Sequence, residues 1–237
     1  MLIHEVARKH YNEGGYKIDR EGVLIMSIVN NDFTDVMTNR HSIRQFDPSV
    51  TIDHDEVKAM IKEATTAPSA CNLQSWHFVV IDTPAAKEKL KEAAMKFNYP
   101  QIDTASTIIY IAGDTQSHKV YRELWNKVYE AGDITKEKLE SIFNTFLPLY
   151  EHADRNFLTL DATLDGAMVG MQLLLAARAH GYEANPWSGY DFKKILPAVG
   201  LDPARYVPVM AVSIGKPAEK PIASPRYDVD QLIEFRD

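Results

Sequence analysis

Cysteine is almost absent from this sequence, and so are the short motifs that define several common sites. Cys71 is the single cysteine among 237 residues, so no disulfide can form within the chain. CxxC pairs, HExxH, GxGxxG and GxxxxGK[ST] do not occur, which removes the sequence case for a zinc site, a Rossmann dinucleotide fold or a P-loop. Because the N-terminus also lacks a secretory signal pattern, these absences predict a reducing, cytoplasmic setting.

An excess of positive charge and a long apolar run are also missing. The chain has 33 acidic and 26 basic residues, for a net charge of −7, which disfavours nucleic acid and anionic membranes as partners. The longest apolar stretch, "GAMVGMQLLLAA" at residues 166–177, is interrupted by Gln172. It is too short to span a bilayer and predicts a buried helix.

The first 25 residues differ from the remainder, being polar and without a sustained period. Residues 20–23 can be encoded by AGG-GAG-GGN-GTN, which resembles a bacterial ribosome-binding site, and Met26 follows at a suitable distance. Residues 1–25 are therefore either a flexible tail or a mis-annotated leader. No linker divides residues 26–237, so we expect one domain there.

Helical and strand-like periods alternate along this domain, which places it in the α/β or α+β class. A helix is predicted over residues 31–46, with Asn31 or Asp32 as its cap, and another begins at Asp53 with a capping-box-like Glu56. Strands are predicted at 76–81, 106–114 and 206–215. Further helices are predicted at 84–97, 117–131, 135–152 and 160–180, the last ended by Gly181.

Two arginines lie close together in "NRHSIRQF", residues 39–46. On the helix predicted for this stretch, Arg40 and Arg44 share a face, and Ser42 adds a hydroxyl. Two guanidinium groups suit a phosphate, which they bind through charge-assisted hydrogen bonds. The spacing alone favours the alternative, an ordinary solvated basic face.

Two connections carry polar or turn-forming residues, and a third candidate lies in the tail. In "ATTAPSACNLQSWHF", residues 64–78, Ser69, Asn72 and Gln74 follow Pro68 and either hold a ligand or cap the preceding helix. In "NPWSGYD", residues 185–191, a turn could approach a planar ligand closely, although an ordinary connection is the favoured interpretation. Arg226 in "SPRYD" is, by itself, a surface charge.

Taken together and in order, these stretches resemble the FMN-dependent nitroreductase family. The resemblance rests on "RHSIRQF", "APSACNLQSWHFVVI", "HGYEANPWSGYD", "YVPVMAVSIGKP" and a late "PR", and it covers residues 32–235. It implies an α+β fold, a three-layer α/β/α sandwich in which two subunits intertwine as a homodimer. FMN would then lie at the subunit interface.

The resemblance also implies a role for individual residues. The phosphate side of FMN would be bound by Arg40, Ser42 and Arg226, and His41 would lie beside the ribityl chain. Arg44 would face the N1/O2 edge of the flavin as an electrostatic stabiliser. The partner subunit would contribute Pro68, Ser69, Ala70 and Asn72. Residues near the ring would be Asn98, the weaker candidate Gln101, and Pro186, Trp187, Ser188 and Gly189.

Two positions depart from the family pattern. Gln74-Ser75-Trp76 stands where relatives usually have Gln-Pro-Trp, and the lost proline predicts a slightly looser loop. Ser224 stands where some relatives have a lysine, so FMN is expected to bind more weakly than in those relatives.

By the same resemblance, NAD(P)H would pass a hydride to flavin N5, and an acceptor such as a nitroaromatic or a quinone would then receive two electrons in a ping-pong cycle. No side-chain general acid is evident. Residues 117–152 would cover the acceptor side, where aromatic residues either shape specificity or simply pack: Tyr121, Trp125, Phe143 and Phe146. The alternatives are a flavin or quinone reductase with incidental nitro activity and a non-catalytic FMN-binding protein.

Overall fold

An antiparallel sheet of four strands forms the centre of the fold, as seen in a computed structural model that describes residues 16–18, 24–26 and 28–236. Its strands are numbered after a separate two-stranded pair, β1 (Tyr16–Ile18) and β2 (Leu24–Met26). The strand order is β3-β4-β6-β5, with bounds β3 Trp76–Ile81, β4 Thr107–Asp114, β5 Glu183–Trp187 and β6 Tyr206–Gly215. The other residues of 1–25 lie outside the described residues, so the prediction of a flexible tail or a mis-annotated leader is not tested.

The three strands predicted from the sequence are confirmed, whereas β5 was not predicted. β5 contains Pro186, and the sequence around it was interpreted as a turn. A proline cannot donate to a sheet ladder, so it is tolerated in strands that lie at an edge. β5 is such an edge strand, and Pro186 lies opposite Val212 of β6.

Eight α-helices occur in the described part of the chain. They are α1 Phe33–Thr38, α2 His54–Ala64, α3 Pro84–Lys91, α4 Tyr99–Thr104, α5 Tyr121–Glu130, α6 Lys136–Glu151, α7 Arg155–Ala179 and α8 Ile195–Ala198. Asp53 caps α2 as predicted, its side chain accepting from the N–H of Asp55. Gly181 follows α7 with a φ of 78°, the left-handed conformation expected after a helix end.

The helix predicted over residues 31–46 is wrong beyond Thr38. α1 ends there, and the chain continues without helical structure. Ser42 instead forms a parallel bridge with Ala184 of β5, and Phe46 pairs with Pro217. Ile43 and Phe46 are both 1% exposed, so burial of these side chains outweighs the local helical pattern.

Helices cover both faces of the sheet, giving the three layers expected from the resemblance. Successive strand residues point to opposite faces. Ile109 and Ile111 of β4 pack in a cluster with residues of α2 and α7. Ile108 and Tyr110 pack in the other cluster, which includes residues of α3, α4 and α8. Every residue of β4 is buried, so this strand lies at the middle of the core.

Helix α7 approaches the sheet closely because it carries two glycines one turn apart. A Cβ on Gly166 would lie 2.8 Å from the side chain of Val209, and one on Gly170 would lie 2.8 Å from Sδ of Met210. Both distances are shorter than a real Cβ contact allows. The helix can therefore lie this close to β6 only because both positions are glycine. This packing fixes the position of every other residue on α7.

Helix α7 is long and apolar enough to cross a membrane by length and composition, and it is the one such helix among the described residues. Half of its most apolar window is buried in the fold, as in the core helix of a globular protein. Its exposed side carries apolar residues at helical spacing: Phe157, Leu160, Leu164, Met168 and Met171.

A buried group of charged and polar side chains joins the end of α7 to α2. The side chain of His180 is fully buried, with Nε2 3.1 Å from Oε2 of Glu63 and Nδ1 3.5 Å from Oε1 of Glu56. Tyr182 donates its hydroxyl to Glu56 at 2.8 Å. Burial lowers the pKa of His180, but the hydrogen bonds and negative charges of Glu56 and Glu63 outweigh it and raise this pKa to about 9.

We expect this histidine to make the stability of the fold dependent on pH. Its pKa is higher in the folded state than the usual value of about 6.5. The stabilisation is therefore complete below about pH 6.5 and is lost as the pH rises towards the folded pKa of about 9. The loss should be on the order of 3 kcal/mol, measured as the free energy of urea unfolding across this range. His180→Gln should remove the slope, and a variant that kept the full slope would contradict this origin.

Candidate functional site

The first part of the predicted site lies at the β5 edge of the sheet. Arg40, His41 and Ser42 run beside this strand because Ser42 bridges to Ala184. The Nε atom of Arg40 is buried and has no hydrogen-bond partner among the described residues. A buried guanidinium N–H without a partner carries a desolvation cost, so this group is suited to donate a hydrogen bond to an anionic ligand.

Glu183 places a negative charge beside this segment. The backbone N–H of His41 donates to its Oε2 at 3.5 Å, and Arg178 forms an ion pair with its other oxygen. Burial raises the pKa of Glu183, and the positive charges of Arg178, His41 and Arg40 oppose that rise. Arg178 also pairs with Asp35 at 2.8 Å. Because Arg178 and the N–H of His41 already bind the carboxylate of Glu183, this carboxylate does not depend on Arg40 for a partner.

Buried amide side chains form a chain of hydrogen bonds from β5 to the turn that follows it. Asn185 donates to Oε1 of Gln101, Gln101 donates to Oδ1 of Asn98 at 2.8 Å, and Asn98 donates to the carbonyl oxygen of Gly189 at 2.7 Å. All three amides are buried. The sequence predicted Asn98 and Gln101 here, but it gave no indication that Asn185 would orient them.

Residues 186–189, which run from the end of β5 into the following connection, expose their backbone because the largest side chain, that of Trp187, is buried in the core. Trp187 is buried and donates its indole N–H to Oγ of Ser213 at 3.0 Å. Gly189 packs closely against its neighbours: a Cβ there would lie 2.5 Å from Nδ2 of Asn98 and 2.7 Å from the ring of Phe97, so this position has no room for a side chain. Pro186 is partly buried and Ser188 is exposed.

The second part of the predicted site is the loop that precedes β3, residues 68–75. Within it, the N–H of Gln74 donates to Oγ of Ser69 at 3.0 Å. Left-handed φ angles occur at Cys71, Asn72 and Gln74 (52°, 59° and 52°), a conformation that is costly for residues other than glycine. Pro68 and Asn72 are exposed, while Ser69 and Ala70 are partly buried.

The two parts lie at diagonally opposite corners of the sheet. Ala184 is opposite Ile214 of β6, whereas Trp76, where the loop enters β3, is opposite Gly113 and through it Val207. Three strand spacings separate the edges, roughly 14 Å, and the two positions on β6 are about 23 Å apart along the strand. One chain therefore does not bring residues 68–72 together with Arg40 and Ser42.

The two remaining arginines lie on the exposed surface. Arg44 has an exposed side chain, and its backbone N–H donates to Oε1 of Glu219 at 2.7 Å. Arg226 lies in the tail after β6 and donates to the carbonyl oxygens of Ser224 and Pro225. Neither arginine side chain is placed beside Arg40 by these contacts.

Helices α5 and α6 pack beside the 68–75 loop. Tyr121 of α5 is buried, donates its hydroxyl to the carbonyl oxygen of Cys71 at 2.8 Å, and makes edge contacts with Trp125 and Phe143. Cys71 and Phe146 pack against the same small cluster. Packing is thus the first role of these aromatic residues, and Tyr121 also carries a contact to the loop.

Asp165 is the functional candidate that the sequence interpretation missed. It is fully buried on α7 and accepts hydrogen bonds from two N–H groups of the 68–75 loop. The available signal was its position directly before the apolar stretch at 166–177, which predicts burial. A buried acid needs hydrogen-bond partners, because acidic side chains are almost never fully buried unless paired.

Comparison with known proteins gives the family of this chain. The model of the "Nitroreductase family" matches residues 37–216. The CLA biosynthesis enone reductase of Lactiplantibacillus plantarum is 64% identical over 211 residues, which cover 89% of this chain and 97% of that protein. YdgI of Bacillus subtilis, which bears the name of an NAD(P)H nitroreductase, is 41% identical over 88% of this chain and 100% of its own length.

Solved structures give the same result. The crystal structure of CLA-ER, described as an enone reductase of gut-bacterial fatty acid saturation, has a TM-score of 0.82 at 66% identity and covers 87% of this chain and 99% of that one. A protein from Exiguobacterium sibiricum, crystallised in complex with FMN, has a TM-score of 0.83 at 35% identity and covers 87% of this chain and 98% of its own. With the α+β fold described above, these matches establish that the chain belongs to the nitroreductase family of oxidoreductases.

Proposed function

We propose that this protein is an FMN-dependent enone reductase that takes its electrons from NAD(P)H. The enone acceptor is inferred from the relative that is 64% identical over nearly its whole length and bears that activity in its name. The observation in the structure that supports a bound cofactor is the buried Nε of Arg40, which has no partner in the part of the chain that the structure describes. An FMN phosphate would supply that partner through a charge-assisted hydrogen bond.

The residues at the β5 edge fit FMN in their chemistry. Arg40 and Ser42 suit the phosphate, and His41 is next to them on the chain. Gly189 carries no side chain that would cover its backbone, and Asn98, held by the amide chain, packs directly against it, so both could lie beside a flat ring. Arg44 would place a fixed positive charge at the flavin edge, where negative charge develops on reduction.

The other half of the site would come from a second copy of the chain. Residues 68–72 cannot reach the same cofactor within one subunit, because they lie at the opposite corner of the sheet. The exposed apolar side of α7 and the exposed apolar residues of the tail give a second copy extensive surface to cover; in the tail these are Ile222, Tyr227, Val229, Leu232 and Phe235. Arg226 would reach the partner's phosphate in such a homodimer.

The overall reaction balances as a two-electron reduction. An enone, NAD(P)H and one proton give the saturated ketone and NAD(P)⁺. FMN, when bound, supplies the hydride chemistry that links the two substrates. The protein binds and orients the cofactor, α5 and α6 cover the acceptor side, and the proton for the α-carbon comes from solvent, since no side-chain acid is assigned. The cytoplasmic setting stays a prediction.

A second candidate acceptor class is supported by a different relative. The name of YdgI points to nitro compounds, and the sequence interpretation also kept quinones. All three classes are electron-poor acceptors that a hydride donor can reduce. A direct comparison of acceptors therefore decides between an enone reductase and a reductase with a broader range.

We expect the purified protein with FMN to lose its flavin absorbance on anaerobic addition of NADPH or NADH and to regain it with an enone. In steady state, kcat/KM for a long-chain enone should exceed those for a nitroaromatic and a quinone. A higher kcat/KM for either of these would support the second candidate. Flavin that binds but stays oxidised would indicate a binding protein without turnover.

Arg40→Ala should weaken FMN binding on the order of tenfold or more, because a buried partner of the phosphate is lost. The measurement is the dissociation constant of FMN, followed by quenching of flavin fluorescence. Lys58→Ala is a matched control, since Lys58 is an exposed base on α2 that pairs with Asp55. Equal affinity in wild type and Arg40→Ala would remove Arg40 from the site.

A further inference from the structure

The 68–75 loop is held from the interior of the protein by a single carboxylate. Asp165 lies on α7, which is fixed against the sheet by Gly166 and Gly170. Its Oδ1 accepts from the N–H of Ala70 at 2.9 Å, and its Oδ2 accepts from the N–H of Ser75 at 3.2 Å. The side chain is fully buried, so water does not compete for these two hydrogen bonds.

Both ends of the strained part of the loop are thus attached to the same side chain. Cys71, Asn72 and Gln74 have left-handed φ angles, and they lie between Ala70 and Ser75. Non-glycine residues keep such angles only when the surrounding structure enforces them. The two oxygens of Asp165 provide that enforcement, one before the strained residues and one after them.

Ser75 explains why this chain does not need the proline that relatives usually carry there. Proline has no N–H, so it could not donate to Asp165. Ser75 makes three contacts: its N–H to Asp165, its hydroxyl with that of Ser117 at 2.8 Å, and its carbonyl oxygen with the N–H of Asp114 at 3.0 Å. The looser loop expected from the sequence is therefore replaced by a loop fixed through hydrogen bonds.

The same loop is bonded to the helices that cover the acceptor side. Ser117 lies in the turn that precedes α5, and Tyr121 of α5 donates to the carbonyl oxygen of Cys71. Leu73 is buried in one cluster with Ile142 and Leu147 of α6. The loop thus connects α7 on one side with α5 and α6 on the other.

We propose that Asp165 is a positioning residue for the cofactor: it holds the 68–75 loop in the shape that receives FMN of the partner subunit. Through its hydrogen bond to Ser117, Ser75 also connects the loop to α5 and α6, the helices proposed to cover the acceptor side. The inference rests on the proposed function, because the loop shape matters for FMN only if the loop contacts it. Asp165 touches neither cofactor nor substrate and acts through the backbone of Ala70 and Ser75.

Asp165→Asn tests the first half of this proposal. The amide keeps the size of the side chain but turns one acceptor into a donor, which then faces a loop N–H. The dissociation constant of FMN should rise on the order of tenfold, measured by flavin fluorescence on the full-length protein. Glu56→Gln is the matched control, since Glu56 is also a buried acid, bonds to Tyr182 and, among the described residues, has no hydrogen bond to the loop. It should keep wild-type FMN affinity whatever its melting temperature.

Each result has a separate meaning. Wild-type affinity in Asp165→Asn would overturn the inference and leave the proposed function intact. A parallel loss of affinity in Glu56→Gln would overturn it too, because the effect would then follow general stability. Wild-type protein that binds no FMN would instead overturn the proposed function itself. If Asp165→Asn does not fold, amide hydrogen exchange of the wild type decides: Ala70 and Ser75 should exchange slowly, and unprotected rates would contradict the hold.

Ser75→Ala tests the link to the acceptor cover. It keeps the N–H that donates to Asp165 and removes only the hydroxyl that bonds to Ser117. We expect FMN affinity within about twofold of wild type and a KM for the acceptor raised several-fold. The reason is that the substitution removes only the hydrogen bond between the loop and Ser117, which precedes α5. An unchanged KM would contradict the link, and a large loss of FMN affinity would show that the hydroxyl, not the N–H, sets the loop.

Discussion

The antiparallel register of the central sheet is the constraint on which the rest of this structure depends. It places the Arg40–Ser42 segment beside β5, level with the end of β6, and the 68–75 loop at the entry to β3, level with the start of β6, at opposite edges of the sheet. Two sets of residues that both suit one flavin are therefore kept apart within a chain. In the proposed homodimer a second copy would resolve this separation, and the exposed apolar side of α7 would give that copy a surface to cover.

Much of the fold could be predicted because β3, β4 and β6 are apolar runs and α7 is apolar over several turns. Two elements could not. Residues 39–46 have helical spacing, yet Ile43 and Phe46 are buried in the core, and the chain there bridges to β5 and to Pro217 instead of forming a helix. Pro186 hid β5 itself, since only the final strand order shows that it lies at an edge. Both errors arise from tertiary contacts that a local pattern does not contain.

The candidate site shows the same division between local and distant information. The residues proposed to face the cofactor were found from short motifs, whereas the residues that position them lie elsewhere in the chain. Asn185 is hydrogen-bonded to Gln101, which in turn bonds to Asn98. Asp165 binds a loop that is 90 or more residues away in sequence. At Ser75, hydrogen bonds to Asp165 and Ser117 restrict the loop in place of a proline ring. The effect of this serine can be interpreted only once these two hydrogen-bond partners are known.

The central claim is that each cofactor site is completed by two subunits, and mixed dimers test it most directly. Arg40→Ala impairs the β5-edge half, and Asn72→Trp impairs the loop half, where Asn72 is exposed in a single chain. The two variants would be co-expressed with different affinity tags, and the doubly tagged dimer purified for titration with FMN. The account predicts that this dimer regains one tight FMN site per two chains, because one of its sites combines two intact halves. A mixed dimer that binds FMN no better than either variant alone would contradict it.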